Sequence, residues 1–181
     1  MEEKVEPTLL NRESLCSMLE KQLAYQASEG KLGQRVDLSV YIIEDYDFSG
    51  IDLSSIFAID STFYRCKFVN CDLYSTIFTK SKFIEVDFTG ANLGKTEFCR
   101  VKARNACFDN TNCGSAEFDE ADLSGTTFRN ANLNGASFVD CDLTNAIFDG
   151  AKLTWLSTGG NNKWDNTSFL NIEGENPVPG L

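Results

Sequence analysis

The sequence has no histidine. A Ser-His-Asp triad, a Cys-His nucleophile pair and every His-containing zinc or iron site are thereby excluded, and most hydrolase chemistry goes with them. Basic charge is scarce: 16 Lys and Arg stand against 27 Asp and Glu, for a formal net charge of -11. That balance disfavours direct binding to nucleic acid or to anionic lipid through a broad basic surface. Long apolar runs are missing, and the opening MEEKVEPTLL has neither the basic nor the apolar region of a signal peptide. A soluble cytoplasmic chain with no membrane association is expected. The seven cysteines form no CxxC pair and are odd in number, which fits reduced thiols better than a disulfide framework. What is present, 181 residues of which 42% are apolar and 12% aromatic, suffices for one domain with its own core.

That core is written in a period of five. Of the 24 positions met at every fifth residue from Leu38 to Leu153, 20 are Leu or Phe; the others are Ile43, Ala58, Ala103 and Cys113. Only Phe57 falls outside this register between residues 36 and 155. Two residues before each centre stands, as a rule, a small side chain such as Ser61, Cys71, Thr76 or Ala91. A helix would scatter such centres around its axis and a strand would alternate them between faces, so both would expose half the Phe. A chain that turns a corner every five residues sends centre and small residue inward each time. Four sides make a coil of four pentads, and the sequence supports this: Phe48, Phe68, Phe88, Phe108, Phe128 and Phe148, each four pentads after the last, form an unbroken column. About six coils follow, rising roughly 29 Å at strand spacing.

Pentads such as Ala91-Asn92-Leu93-Gly94, Ala121-Asp122-Leu123-Ser124-Gly125 and Cys141-Asp142-Leu143-Thr144 resemble the A(D/N)LXX unit of the pentapeptide-repeat family. The resemblance implies an all-β solenoid, a right-handed quadrilateral β-helix, and brings no common catalytic motif with it. The lead-in before Arg35-Val36-Asp37-Leu38-Ser39 is similar to that of many bacterial members. At Ala58 and Ala103, where Leu or Phe belongs, the preceding small position is enlarged to Ile56 and Val101, a volume swap that a packed core tolerates.

Three segments are expected. Residues 1–35 form an N-terminal arm and a capping helix over roughly 12–28, with Leu15, Met18, Leu19 and Leu23 on its apolar side and Gly30 at its end. Residues 36–155 are the β-helix. Residues 156–181 form a C-terminal cap, in which Thr167-Ser168-Phe169-Leu170-Asn171 is one more pentad shifted by one residue, and a loose tail.

Candidate sites are few. Asp45-Tyr46-Asp47-Phe48-Ser49-Gly50 imitates the first half of a calcium loop, but the twelfth position, where a bidentate Glu belongs, is Ile56. Cys66, Cys71, Cys113 and Cys141 occupy inward positions, and Cys99 and Cys107 face out. The remaining feature is a corner where Lys80, Lys82, Arg100, Lys102 and Arg104 abut Glu117, Asp119, Glu120, Asp122, Asp140 and Asp142. Stacking one coil apart pairs Asp60 with Lys80, Arg100 with Glu120 and Lys102 with Asp122, which accounts for the residues as a charge ladder. The competing reading is a corner that docks a partner.

The carboxylates lie on convex faces with no concave pocket implied, so the expected function is a non-enzymatic structural or protein-interaction scaffold. Its partner is an unidentified protein, no cofactor or metal is called for, and a monomer is favoured. The alternative, carried by the resemblance, is a DNA-mimicking modulator of a type II topoisomerase, as in the quinolone-resistance branch of the family. The coils carry a net -8 on their outer positions, whereas DNA shows roughly 17 charges over such a height. That branch also tends to carry projecting loops and a dimerising C-terminal element, whereas here the repeat runs uninterrupted into a short Gly/Asn-rich tail.

Overall fold

In the computed structural model, which describes residues 6–175 and 177, the period of five is a period of corners. Every fifth residue from Val40 to Trp155 has a left-handed backbone, with φ between 50° and 72°. Each lies two residues past a centre, and the N–H that follows the corner folds back to the centre's carbonyl in most pentads: Ala91 N to Phe88 O at 2.9 Å, Ala131 N to Phe128 O at 3.1 Å. A turn of this kind needs positive φ at its third residue, which Gly, Asn and Asp adopt at least cost. Hence Asn70, Gly90, Asn105 and Gly125 stand at corners. At Gly125 a Cβ would also collide with the Asn105 side chain stacked against it from the coil before.

Val40 is the occupant least suited to this geometry, a β-branched residue at φ 61°. Val40→Asn is expected to stabilise the protein by about 1 kcal/mol. A fall in melting temperature instead would show that the half-buried valine side chain outweighs the strain.

Where the residue before a centre is Asp or Asn, its side chain closes the corner from outside. Asp47 Oδ1 accepts from Ser49 N (2.9 Å), Asp87 Oδ1 from Thr89 N (2.8 Å) and Asn132 Oδ1 from Asn134 N (3.3 Å). This Asx turn is the physical reason for the D/N in the A(D/N)LXX unit. On one face the amides continue from coil to coil, Asn132 Nδ2 donating to Asn112 Oδ1 (2.9 Å) and Asn112 Nδ2 to Asn92 Oδ1 (3.0 Å).

Residues 20 apart pair in parallel register on all four faces, from Asp37 with Phe57 to Ser137 with Ser157. The result is the right-handed four-sided β-helix expected. Among the described residues, true strands occur on one face only. β1 (Thr8–Leu9), β2 (Tyr41–Glu44), β3 (Thr62–Tyr64) and β4 (Lys82–Ile84) stack in that order. β1 is an addition that the sequence pattern did not disclose: the arm before the helix pairs Thr8 with Tyr41 and Leu9 with Ile42.

Inside, the Phe column stacks at ring spacings of 4.8, 5.1, 4.9, 4.8 and 5.0 Å from Phe48 to Phe148. A second column, Phe78, Phe98, Phe118 and Phe138, meets it edge to face, the geometry that aromatic quadrupoles favour. Ile56, Ala58, Val101 and Ala103 are all fully buried, so the volume swap closes the core. Small inward hydroxyls are satisfied too: Thr76 Oγ1 donates to Leu53 O at 2.9 Å and Thr96 Oγ1 to Leu73 O at 2.8 Å.

The helix α1 (Arg12–Ala27) covers the first coil, started by Asn11, whose side chain accepts from Ser14 N. The face it buries differs from the one expected. Leu15 and Leu19 are buried as the spacing implied, but Leu23 is half exposed and Gln22 is buried in its place. An open coil end presents backbone as well as apolar side chains, and Gln22 answers the backbone: its Oε1 accepts from Val36 N at 2.8 Å. Gln26 Nε2 donates to Ser54 O (3.2 Å) and Ser54 Oγ (2.8 Å).

At the other end the ladder continues beyond residue 155 into a seventh, partial coil. Asp142 pairs with Lys163, Ile147 with Ser168 and Lys152 with Glu173, a spacing of 21 where six coils keep 20. Asn162 bridges the extra residue, accepting from Cys141 N and donating to Phe138 O, both at 2.7 Å. The shifted pentad is thus present, with Phe169 stacked on Phe148 at 5.2 Å. Most of the tail expected to be loose lies outside the described residues.

Candidate functional site

The corner expected from the charge pattern is where the fold changes form. In the third coil the chain around Phe83 is extended as β4; in the fourth, Ala103 is followed by a hydrogen-bonded turn, Ala106 N to Ala103 O at 3.1 Å. An extended strand stacked against a turn leaves a step. Lys82, Phe83, Ile84, Glu85, Lys102, Arg104, Asn105 and Asp122 line the resulting groove of about 550 Å³. This corrects the expectation that no concavity is present.

The step also interrupts the ladder. From Val40 to Gly150 every other corner N–H donates to a carbonyl of the next coil, as Arg65 N does to Ile84 O (2.9 Å) and Asn105 N to Ser124 O (3.0 Å). Glu85 N makes no such bond to Arg104 O, and both residues line the groove.

Of the three ladder pairs expected, one forms. Arg100 Nε lies 3.3 Å from the Glu120 carboxylate. Asp122 pairs with Arg104 and not with Lys102: its Oδ1 is committed to the Ser124 hydroxyl at 2.9 Å, which turns Oδ2 toward the Arg104 guanidinium. Asp60 and Lys80 do not close to an ion pair either. Corner pairs close where the cation is arginine, as in Asp45–Arg65 at 2.6 Å, because the planar guanidinium reaches along the ladder with fixed geometry. Among the described residues Lys80, Lys82 and Lys102 therefore stand without an ion-pair partner, and Lys82 and Lys102 are direct ladder neighbours.

Arg65 holds the Asp45 carboxyl below the usual carboxylate value, and Lys163 does the same to Asp142. A depressed folded-state value stabilises the fold above the unfolded value near about 3.9, and that contribution disappears as pH falls through the folded value. The melting temperature should drop below about pH 4, and Arg65→Ala should shrink the drop; a variant whose profile matches the parent would show the pair to be inert.

The remaining candidates are ordinary parts of the fold. Asp45 is occupied by Arg65 and Asp47 by Ser49, so the carboxylates of the calcium-like segment do not converge. Among the described residues no group of three or more His, Cys, Asp or Glu is placed to hold a metal ion. Cys99 and Cys107, expected to face outward, are half-buried; burial and then the nearby Glu117 push the Cys99 thiol up to about 11, leaving it protonated at neutral pH. No helix among the described residues is long and apolar enough to cross a membrane.

A four-sided parallel β-helix with pentads as its unit, closed by a helix at one end and carrying a basic step on one corner, is the class of protein the geometry defines. The pentapeptide-repeat family model matches residues 81–112 and 116–154 in eight copies. Residues 81–154 are built of the repeats of that family. No curated protein matches it. Among solved structures it is similar to QnrB1, a plasmid-mediated fluoroquinolone resistance protein, at 22% identity over 77% of this chain and 84% of that one, with a TM-score of 0.40. It is also similar to a pentapeptide repeat protein from the Arabidopsis thaliana thylakoid lumen, at 25% identity over 55% and 70% of the chains, TM-score 0.31. HetL, involved in heterocyst differentiation regulation in Nostoc sp. strain PCC 7120, matches at 17% identity over 83% and 92%, TM-score 0.23. The roles of these proteins are varied, and none transfers to this chain at such scores.

Proposed function

We propose that this protein is a non-enzymatic protein-interaction scaffold, working as a cytoplasmic monomer. One observation carries the reading. Outward side chains are fixed at ladder spacing on a core packed throughout by stacked Phe and Leu, which supports a rigid charge pattern preorganised for a partner. Affinity purification of the tagged full chain from its native host tests it. A protein retained in stoichiometric amount supports the scaffold; an eluate indistinguishable from the tag-only control contradicts it.

A second reading has an observation of its own. Glu97, Glu117, Asp119, Glu120 and Asp140 spread along one side of the tower, as a DNA-mimicking modulator of a type II topoisomerase would require. Lys80 and Arg100 interrupt that side, which is why the scaffold is preferred. Recovery of topoisomerase subunits, with a matching effect of the purified chain on supercoiling, would reverse the preference.

A further inference from the structure

The geometry points to the step between the third and fourth coils as a binding site for a carboxylate-bearing, partly apolar peptide segment of a partner protein; this rests on the scaffold reading and adds the place and the chemistry.

Three observations converge on it. Lys82 and Lys102 are ladder neighbours, about 5 Å apart, a separation at which like charges repel. Other basic residues at ladder positions meet an acid or an amide: Lys67 lies between Asp47 and Asp87, and Lys152 between Asn132 and Glu173. Lys82, between Thr62 and Lys102, is the exception, and the Asp122 carboxylate on the far side of Lys102 is engaged by Ser124 and Arg104; a carboxylate between the two lysines would relieve the repulsion with two charge-assisted hydrogen bonds. Secondly, Glu85, whose N–H is the one corner donor from Val40 to Gly150 without its ladder bond, lines the same groove and offers that N–H as a further donor. Thirdly, Ile84 is 43% exposed beside these groups, one of three large apolar side chains, with Tyr74 and Trp155, exposed on the six coils. Apolar contact next to a cationic pair fits a peptide better than a free inorganic anion.

The surroundings set the limit on size. Glu85 and Asp122 rim the groove, and Glu120 and Asp142 follow within two coils. A single carboxylate can sit between the lysines, whereas a continuous polyanion running along the tower would meet these acids, so nucleic acid is rejected.

The test uses the full chain and a fluorescein-labelled hexapeptide of Gly, Asp, Leu, Glu, Leu and Gly, with its Asn/Gln counterpart as control, read by fluorescence anisotropy at low salt. The acidic peptide is expected to bind and the amide peptide not. Binding should fall at least tenfold in the Lys82→Glu, Lys102→Glu double variant and also in the milder Lys82→Gln, Lys102→Gln variant, each checked for an unchanged circular dichroism spectrum. Equal binding by parent and variants, or none by the parent, overturns the site. Displacement by inorganic phosphate as readily as by unlabelled peptide would reduce it to an adventitious anion site and overturn the peptide assignment, as would equal binding of duplex DNA. If the peptide fails but a native partner is captured equally by parent and double variant, the site is wrong and the scaffold stands. If the parent captures no partner, the scaffold reading itself falls.

Discussion

Phe108→Ala is expected to destabilise the protein by about 3–5 kcal/mol. The ring is fully buried, stacked between Phe88 at 4.9 Å and Phe128 at 4.8 Å and met edge-on by Phe98 and Phe118 at 5.7 and 5.9 Å. Its neighbours cannot collapse into the void. Each is tethered through its own coil's backbone ladder, as Phe88 N is to Cys107 O and Phe128 N to Ile147 O. The cost should therefore lie toward the upper end of the range, and in a solenoid it acts on the interfaces with both adjacent coils. Urea denaturation followed by circular dichroism measures it; a loss below about 1 kcal/mol would mean that the coils relax far more freely than a fixed ladder register allows.

Removing residues 1–35 should have the second large effect. Without α1 the first coil loses the cover of Leu15 and Leu19, the Val36 N–H loses its Gln22 acceptor, and the half-buried Tyr41, Tyr46 and Ile51 become exposed. A coil end stripped in this way presents apolar surface and unpaired backbone together, the condition under which β-solenoids associate end to end. The truncated chain should show concentration-dependent association in sedimentation velocity and a lower melting temperature. A monomer with the parent's melting temperature would contradict the capping role of α1.

The architecture was legible because a period of five leaves so little freedom. Once Leu or Phe recurs every fifth residue, the centres, the small inward positions and the stacking partners one coil away are all assigned by counting. The ends were harder to read. Leu23 fits the apolar spacing of α1, yet a helix lying across a coil end must satisfy backbone amides as well as bury carbon, and Gln22 does so. The ion pairs failed for a related reason: register specifies which Cα atoms stack but not how an Asx turn aims a carboxylate, so Asp122 went to Arg104. The step is the feature that counting alone could not supply, since it arises from a change of backbone form between Phe83 and Ala103. Its one trace in the sequence is the Val101/Ala103 swap, which marks the coil where the face changes form.

The central claim, that a protein partner docks on the charged corner of a rigid tower, is tested most directly by photo-crosslinking. A crosslinking phenylalanine analogue would be placed in turn at Lys80, on that corner, and at Asn110, on the diagonally opposite one. The two variants of the tagged full chain would then be irradiated in the native host. A discrete protein adduct from position 80 and none from position 110 is the result predicted. Adducts of equal yield from both corners, or no discrete adduct from position 80, would contradict the account.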